Sequence, residues 1–336
     1  MSSRASAPTP PPSSPDTGAL PMVQPAPSGS SPQGLALGLS AYVIWGLVLP
    51  LYVTALAPAG AVEIVVVRIG FSLLFCLVLL AVLRRLGELR EALRTPSRWG
   101  ATALASGLIA VNWLLYALSV VSGNVLQASL GYFMNPLVNV LLGVLLLGER
   151  LRRAQWAAVT LAAVAVLGMT VALGAVPWLS LGLAFSFGLY GLVKKRLPTP
   201  GHPVTGMTAE TLVLTPVFVV GTVLLHGAGQ LTTLTEGAGH FWLMAASGVL
   251  TAGPLILFSA AARHLSLTTL GLMQYVAPLG QFLVAVLVLG EHMAPARWAG
   301  FALIWASLAL FTLDQARQAR LRRRARRALT GSQAHA

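Results

Sequence analysis

Polar side chains are rare inside the apolar runs of this chain, and several recur at helical spacing. Tyr132, Asn135, Asn139 and Gly143 stand at i, i+3, i+7 and i+11. At 100° per residue they fall within about 60° of the Tyr132 direction, on one helix face. Asn112, Tyr116 and Ser119 follow at i, i+4 and i+7 in another run. Amides and phenols on such a face can line a cavity and bind a polar solute. They can also bond helix to helix, a contact worth about 0.6–2 kcal/mol. Gln274, Gln281 and Trp45 lie in further runs; Trp45 offers a ligand a stacking face or simply packs. Arg68 is the one cation well inside a run. A central arginine costs roughly 2.5–3.5 kcal/mol on insertion scales. Glu63 lies five residues back, about 140° away on a helix, and is a poor partner. Two readings of Arg68 stand. It snorkels to headgroups, or it is a charge in a pathway, for an anionic solute or for a partner on another helix.

Motifs of other chemistries are missing. No G-x-x-x-x-G-K-[ST] loop supplies an ATP motor, and no H-E-x-x-H or nucleophile elbow appears. The histidines at 202, 226, 240, 264, 292 and 335 show no metal spacing. The single cysteine, Cys76, excludes an internal disulfide framework. The expectation is no cofactor, no metal and no enzymatic activity.

The elements that must hold these residues are membrane helices. Of 336 residues, 56% are hydrophobic and 9% charged, against about 25% charged in soluble domains. Runs of roughly 20 apolar residues span a bilayer. Ten are expected, at 34–57, 62–83, 99–121, 124–147, 154–174, 176–193, 208–228, 240–262, 266–289 and 295–314. A chain in lipid must satisfy its own backbone, and no alternating strands suggest a barrel, so the fold class is all-α integral membrane. Residues 1–33, rich in Pro and Ser, read as a disordered tail.

The net charge of +13 is placed by topology rather than by nucleic acid. Basic residues fill the segment 84–98, the loops after spans four and six, Arg263 and the tail 315–336. With the N-terminus cytoplasmic, twenty of the 22 Lys and Arg fall on that side; the exceptions are Arg68 and Arg297. The positive-inside rule then puts both termini in the cytoplasm of a multi-pass plasma-membrane protein, the bacterial inner membrane.

The chain also repeats. Pro136, Gly148-Glu149 and Trp156 match Pro278, Gly290-Glu291 and Trp298 in one register, 142 residues apart. Halves 34–174 and 176–314 are thus five-helix units, and an odd number inserts the second half inverted. Inverted repeats mark secondary transporters, with the solute site near the midplane between halves. In this register Tyr132 maps to Gln274 and Asn139 to Gln281. The expected site is Tyr132, Asn135, Asn139, Gln274 and Gln281, with Asn112 and Tyr116 nearby and Arg68 and Trp45 as further candidates. The prolines Pro50, Pro136, Pro216, Pro254 and Pro278 interrupt spans, for gating or for packing.

Several segments resemble a known family. They are Ser40-Ala41-Tyr42-Val43-Ile44-Trp45-Gly46, Asn112-Trp113, the run 128–139, Gly148-Glu149-Arg150, 186–192 and 266–271. These are similar to the RarD branch of the drug/metabolite (EamA-type) transporter superfamily, over about residues 34–315. The resemblance implies a ten-helix, exporter-like permease. Relatives usually carry His where this chain has Val67, and often Glu where it has Gln127. A proton-carrying role at those two positions is not carried over. The reading is a secondary transporter of a small polar metabolite or drug-like molecule. A passive channel or lipid scramblase is the alternative, and an intramembrane enzyme the weaker one. Expected partners are a small-molecule substrate and the lipid bilayer, with no nucleic acid; monomer and homodimer both stay open.

Overall fold

The computed structural model describes residues 31–95, 99–148, 150–196, 203–265 and 267–333. The expected disordered tail falls outside them up to residue 30, as do Arg98, Glu149 and Ser266. All regular structure among the described residues is helical. Eight helical stretches are long and apolar enough to cross a membrane. Within the expected span one, α1 (Pro32–Val43) and α2 (Leu49–Ala55) are joined by a π-helical turn, Ile44–Val48. Then come α3 (Ala61–Val82), the short α4 (Leu86–Leu93), α5 (Trp99–Val121), α6 (Val125–Leu147), α7 (Arg153–Leu173) and α8 (Trp178–Arg196).

The second half is more broken. The expected span seven is α9 (Pro203–Val213) and α10 (Thr215–Gly227), bent by 48°. Pro216 explains the bend: it has no N–H for the Leu212 carbonyl, and its ring crowds that carbonyl. Counted as one span, the pair makes nine. The expected span six is the apolar part of α8, shorter than the other eight. The short α11 (Thr232–Thr235) and α12 (Gly237–Ala245) lead into α13 (Ser247–Ala262). Span nine is α14 (Leu267–Met273), α15 (Val276–Leu283) and a second π turn, Val284–Val288. Pro278 leaves the Gln274 carbonyl without its helical donor, and the break falls at Gln274–Tyr275. Helix α16 (Pro295–Gln333) runs on through the expected tail. The tail's Ala, Arg and Leu are strong helix formers, and from residue 315 no Gly or Pro occurs before Gly331.

The helices pair in a pattern that each half repeats with the other. α6 packs along α8 as α15 packs on the π turn of span one, α5 on α8 as α13 on α1, and α3 on α13 as α9 on α5; α7 lies along α16. Small residues allow the closest crossings. A Cβ on Gly46 would lie 2.7 Å from the Ala277 carbonyl oxygen, and one on Gly280 would lie 2.9 Å from Gly46 itself. The positions 142 residues away also meet: a Cβ on Gly188 would lie 3.1 Å from Val138.

Both ends of the bundle are tied by polar contacts. At the end carrying the basic loops, Arg152 pairs with Asp314, Lys194 with Glu210, and Thr205 donates to Glu88. At the opposite end Glu63 accepts from the Thr232 and Thr233 hydroxyls and the Thr233 N–H. There Glu291 also caps α6, accepting from the N–H groups of Val125 and Leu126.

Candidate functional site

Arg68 lies two turns into α3 and is 8% exposed. Its Nε donates to Thr251 Oγ1 of α13 at 2.8 Å, and Cζ sits 4.5 Å from the centroid of the Trp113 ring on α5. The Thr251 hydroxyl hydrogen goes to the Ser247 carbonyl, 2.6 Å away, so its oxygen is left to accept from the arginine. The hydroxyls of Tyr52, Tyr116 and Tyr132 lie within electrostatic reach of the guanidinium. The snorkelling geometry is not what is found: the charge points into protein, between residues of both halves. No ion pair among the described residues includes Arg68, and Glu63 is engaged by α11. A narrow cleft beside Arg68 is walled by Leu49, Tyr52, Ile64, Leu250 and Thr251.

Next to this lies a knot of three helices. Asn112 is 2% exposed. Its Nδ2 donates to the Leu183 carbonyl at 3.1 Å and to Ser186 Oγ at 3.0 Å, and its Oδ1 accepts from the Tyr132 hydroxyl at 3.1 Å. Both N–H groups and one of the two oxygen lone pairs of the amide are therefore engaged, and Asn112 holds Tyr132 in place. The Tyr116 ring lies 6.1 Å from that of Tyr132, and its buried hydroxyl has no hydrogen-bond partner. From Tyr132 the rings continue at 6.2 Å to Phe187 and 6.1 Å to Tyr190. The Tyr190 hydroxyl donates to Glu210, the carboxylate that pairs with Lys194. A file of aromatic rings thus connects the Arg68 neighbourhood to the basic end.

Trp45 and Gln281 form a separate pair. In the π turn the Leu49 N–H reaches the Ile44 carbonyl, and Pro50 has no N–H. The Trp45 carbonyl is left without an intrahelical donor, and Gln281 Nε2 donates to it at 3.2 Å. The Trp45 ring packs on Tyr42 and Phe258 at 5.7 and 6.2 Å. Asn135 is half-buried, with a buried Oδ1 that has no partner; Asn139 and Gln274 are exposed on the isolated chain.

Of the residues expected from sequence, Arg68, Asn112, Tyr116 and Tyr132 come together. Trp45 and Gln281 meet each other instead, and no contact draws Asn139 or Gln274 to the Arg68 group. Sequence reasoning did not include Trp113, Thr251, Tyr52 or the ring file through Phe187 and Tyr190 in the site. Trp113, Phe187 and Tyr190 carried a signal, as members of the segments 112–113 and 186–192 that resemble the family, whereas Thr251 and Tyr52 carried none.

Comparison with known proteins agrees with this architecture. The EamA-like transporter family matches twice, over residues 32–171 and 175–313. Protein RarD of Streptomyces exfoliatus is 52% identical over 87% of this chain and 92% of its own length. An uncharacterized transporter of Pseudomonas aeruginosa is 45% identical over 86% and 96%. A crystal structure with 19% identity shares the fold, with a TM-score of 0.53 over 85% of this chain and 99% of the other. Fold and relatives make this a polytopic membrane transporter. The chain belongs to the EamA-like transporter family, on its RarD branch.

Proposed function

We propose that the chain is a secondary transporter that carries a small polar solute across the plasma membrane by alternating access. In this reading α8 and the bent pair α9–α10 each count as a span. Ten spans then form two five-helix halves of opposite orientation, with both termini cytoplasmic and the basic-loop end facing the cytoplasm. The solute site centres on Arg68, Tyr116 and Tyr132, with Asn135 beside the Pro136 break in the helical ladder. The observation that carries the reading is the buried Arg68. It is held between Trp113 of the first half and Thr251 of the second, with no carboxylate paired to it among the described residues. Ionisable groups inside membrane proteins mark solute and ion pathways, and sites between repeats suit rocking of one half on the other. Further support comes from the repeated helix pairing and from relatives named as transporters.

An untargeted comparison of metabolites in cells with and without the gene identifies candidate solutes. Purified protein in liposomes then decides the mode. Saturable counterflow of such a solute supports the transporter. Linear, unsaturable flux means a channel, and lipid flipping without solute exchange means a scramblase.

A further inference from the structure

We infer that the solute is a monocarboxylate whose carboxylate docks on the Nη edge of Arg68, an assignment that rests on the transport reading above for calling the ligand a solute. The guanidinium carries five N–H groups in a planar fork. One is accounted for, from Nε to Thr251, and the Trp113 ring covers a face of the group. The four N–H groups on the two Nη atoms have no hydrogen bond among the described residues, and the Nη atoms keep some accessible surface although Arg68 as a whole is 8% exposed. A largely buried charge left without an opposite charge is costly. Nearby structure does not relieve it: Glu63 is held by Thr232 and Thr233, and Glu210 by Lys194 and Tyr190. The Tyr116 hydroxyl, also within reach of this charge, is a second buried group without a partner and can donate to an anion.

The fork sets the ligand chemistry. Two parallel N–H donors from Nη1 and Nη2 match the two oxygens of a carboxylate. One cation balances one charge. A phosphate monoester carries ≈ −1.5 to −2 at neutral pH, and among the described residues no second cation is paired with this site to receive it. The cleft walls mix apolar Leu49, Ile64 and Leu250 with the hydroxyls of Tyr52, Ser247 and Thr251, so the remainder of the solute is expected to be weakly polar. The guanidinium is planar by its own resonance, and Thr251 and Trp113 fix its orientation, while the narrow cleft beside it must widen to admit a solute.

The test is binding, read as thermal stabilisation of the purified full-length protein in detergent. The probes are a panel of short aliphatic and aromatic monocarboxylates, the corresponding neutral amides, and inorganic phosphate. Carboxylates are expected to raise the melting temperature of the wild type in a saturable way, with amides and phosphate inert. Arg68→Lys keeps the charge and loses the fork, so apparent affinity is expected to fall roughly tenfold or more. Arg68→Gln is expected to melt cooperatively and to show no carboxylate response. Should Arg68→Gln fail to fold, Arg68→Lys decides alone. Carboxylates that act no better than their amides, or act equally on Arg68→Lys, overturn the assignment, as does stabilisation by phosphate alone. Carboxylate binding through Arg68 without counterflow in liposomes leaves the site standing and removes the transport reading. Counterflow of a neutral solute that is indifferent to Arg68 does the reverse.

Discussion

The Cζ of Arg68 lies 4.5 Å from the centroid of the Trp113 ring, joining α3 to α5 deep in the bundle. Desolvated cation–π contacts are worth about 2 kcal/mol, more than at an exposed site. Trp113→Leu removes the π face while keeping an apolar side chain. It is expected to weaken solute affinity by roughly 10- to 30-fold, with a smaller loss from Trp113→Phe. Equilibrium binding on both variants checks the order. Equal affinity for Trp113→Leu and wild type would mean that the ring only fills space.

Gly46 and Gly188 occupy corresponding positions in the two halves, yet their tolerance to a methyl group is expected to differ. The Cβ of Gly46→Ala would meet the Ala277 carbonyl oxygen at 2.7 Å and backbone atoms of α15. Backbone cannot yield without moving the helix. The Cβ of Gly188→Ala would meet the ends of Leu142, Val138 and Asn139 at 3.0 to 3.2 Å, and side chains can shift. Overpacking of this kind costs about 1–3 kcal/mol. Gly46→Ala should fall in the upper part of that range and Gly188→Ala at or below its lower end. Melting temperatures of the two variants settle the ranking; a more damaging Gly188→Ala would show that the span-one crossing has slack.

Much of this architecture is legible in the sequence because hydropathy and charge act locally. The apolar runs outline the helices, and Pro136, Gly290-Glu291 and Trp298 carry the repeat. What fails is whatever depends on partners distant in the chain. Asn139 shares a face with Tyr132, but exposure depends on how each turn is covered: the Phe187 ring of α8 packs on Tyr132, whereas α8 meets Asn139 at Gly188, which has no side chain to cover it. Gln281 looks like a cavity amide; its partner is a carbonyl released by a π turn 236 residues earlier. The Arg68–Thr251 bond joins residues 183 apart, with no trace in spacing.

Glu291 gives a pH dependence. Burial pushes its carboxyl above the ordinary value of 4.5, against the pull of the Leu126 and Val125 N–H groups and the Arg297 charge. A raised carboxyl favours the folded state while protonated. That contribution is complete below 4.5 and is lost as pH rises through the raised value. Glu291→Gln cannot titrate. The melting temperature of Glu291→Gln relative to wild type should therefore climb between pH 4.5 and neutrality. A relative decline over that window would show that the cap outweighs burial.

Topology is open to a direct check. Reporter fusions after Ala59 and Ala238 should report the outside, and fusions after Arg94 and at the C-terminus the cytoplasm. A cytoplasmic signal at Ala59 or Ala238 would invert or break the proposed arrangement.

The central claim is one solute site between two halves that opens to one side at a time. In a Cys76→Ser background, single cysteines at Ser247, beside the Arg68 cleft, and at Phe187, in the ring file toward the basic end, report the two sides. Their reaction rates with a water-soluble thiol reagent are measured with and without the transported solute. The expected result is reciprocal: solute raises one rate and lowers the other, and Arg68→Gln abolishes the change. Rates that rise or fall together, or that ignore the solute in wild type, would contradict alternating access at this site.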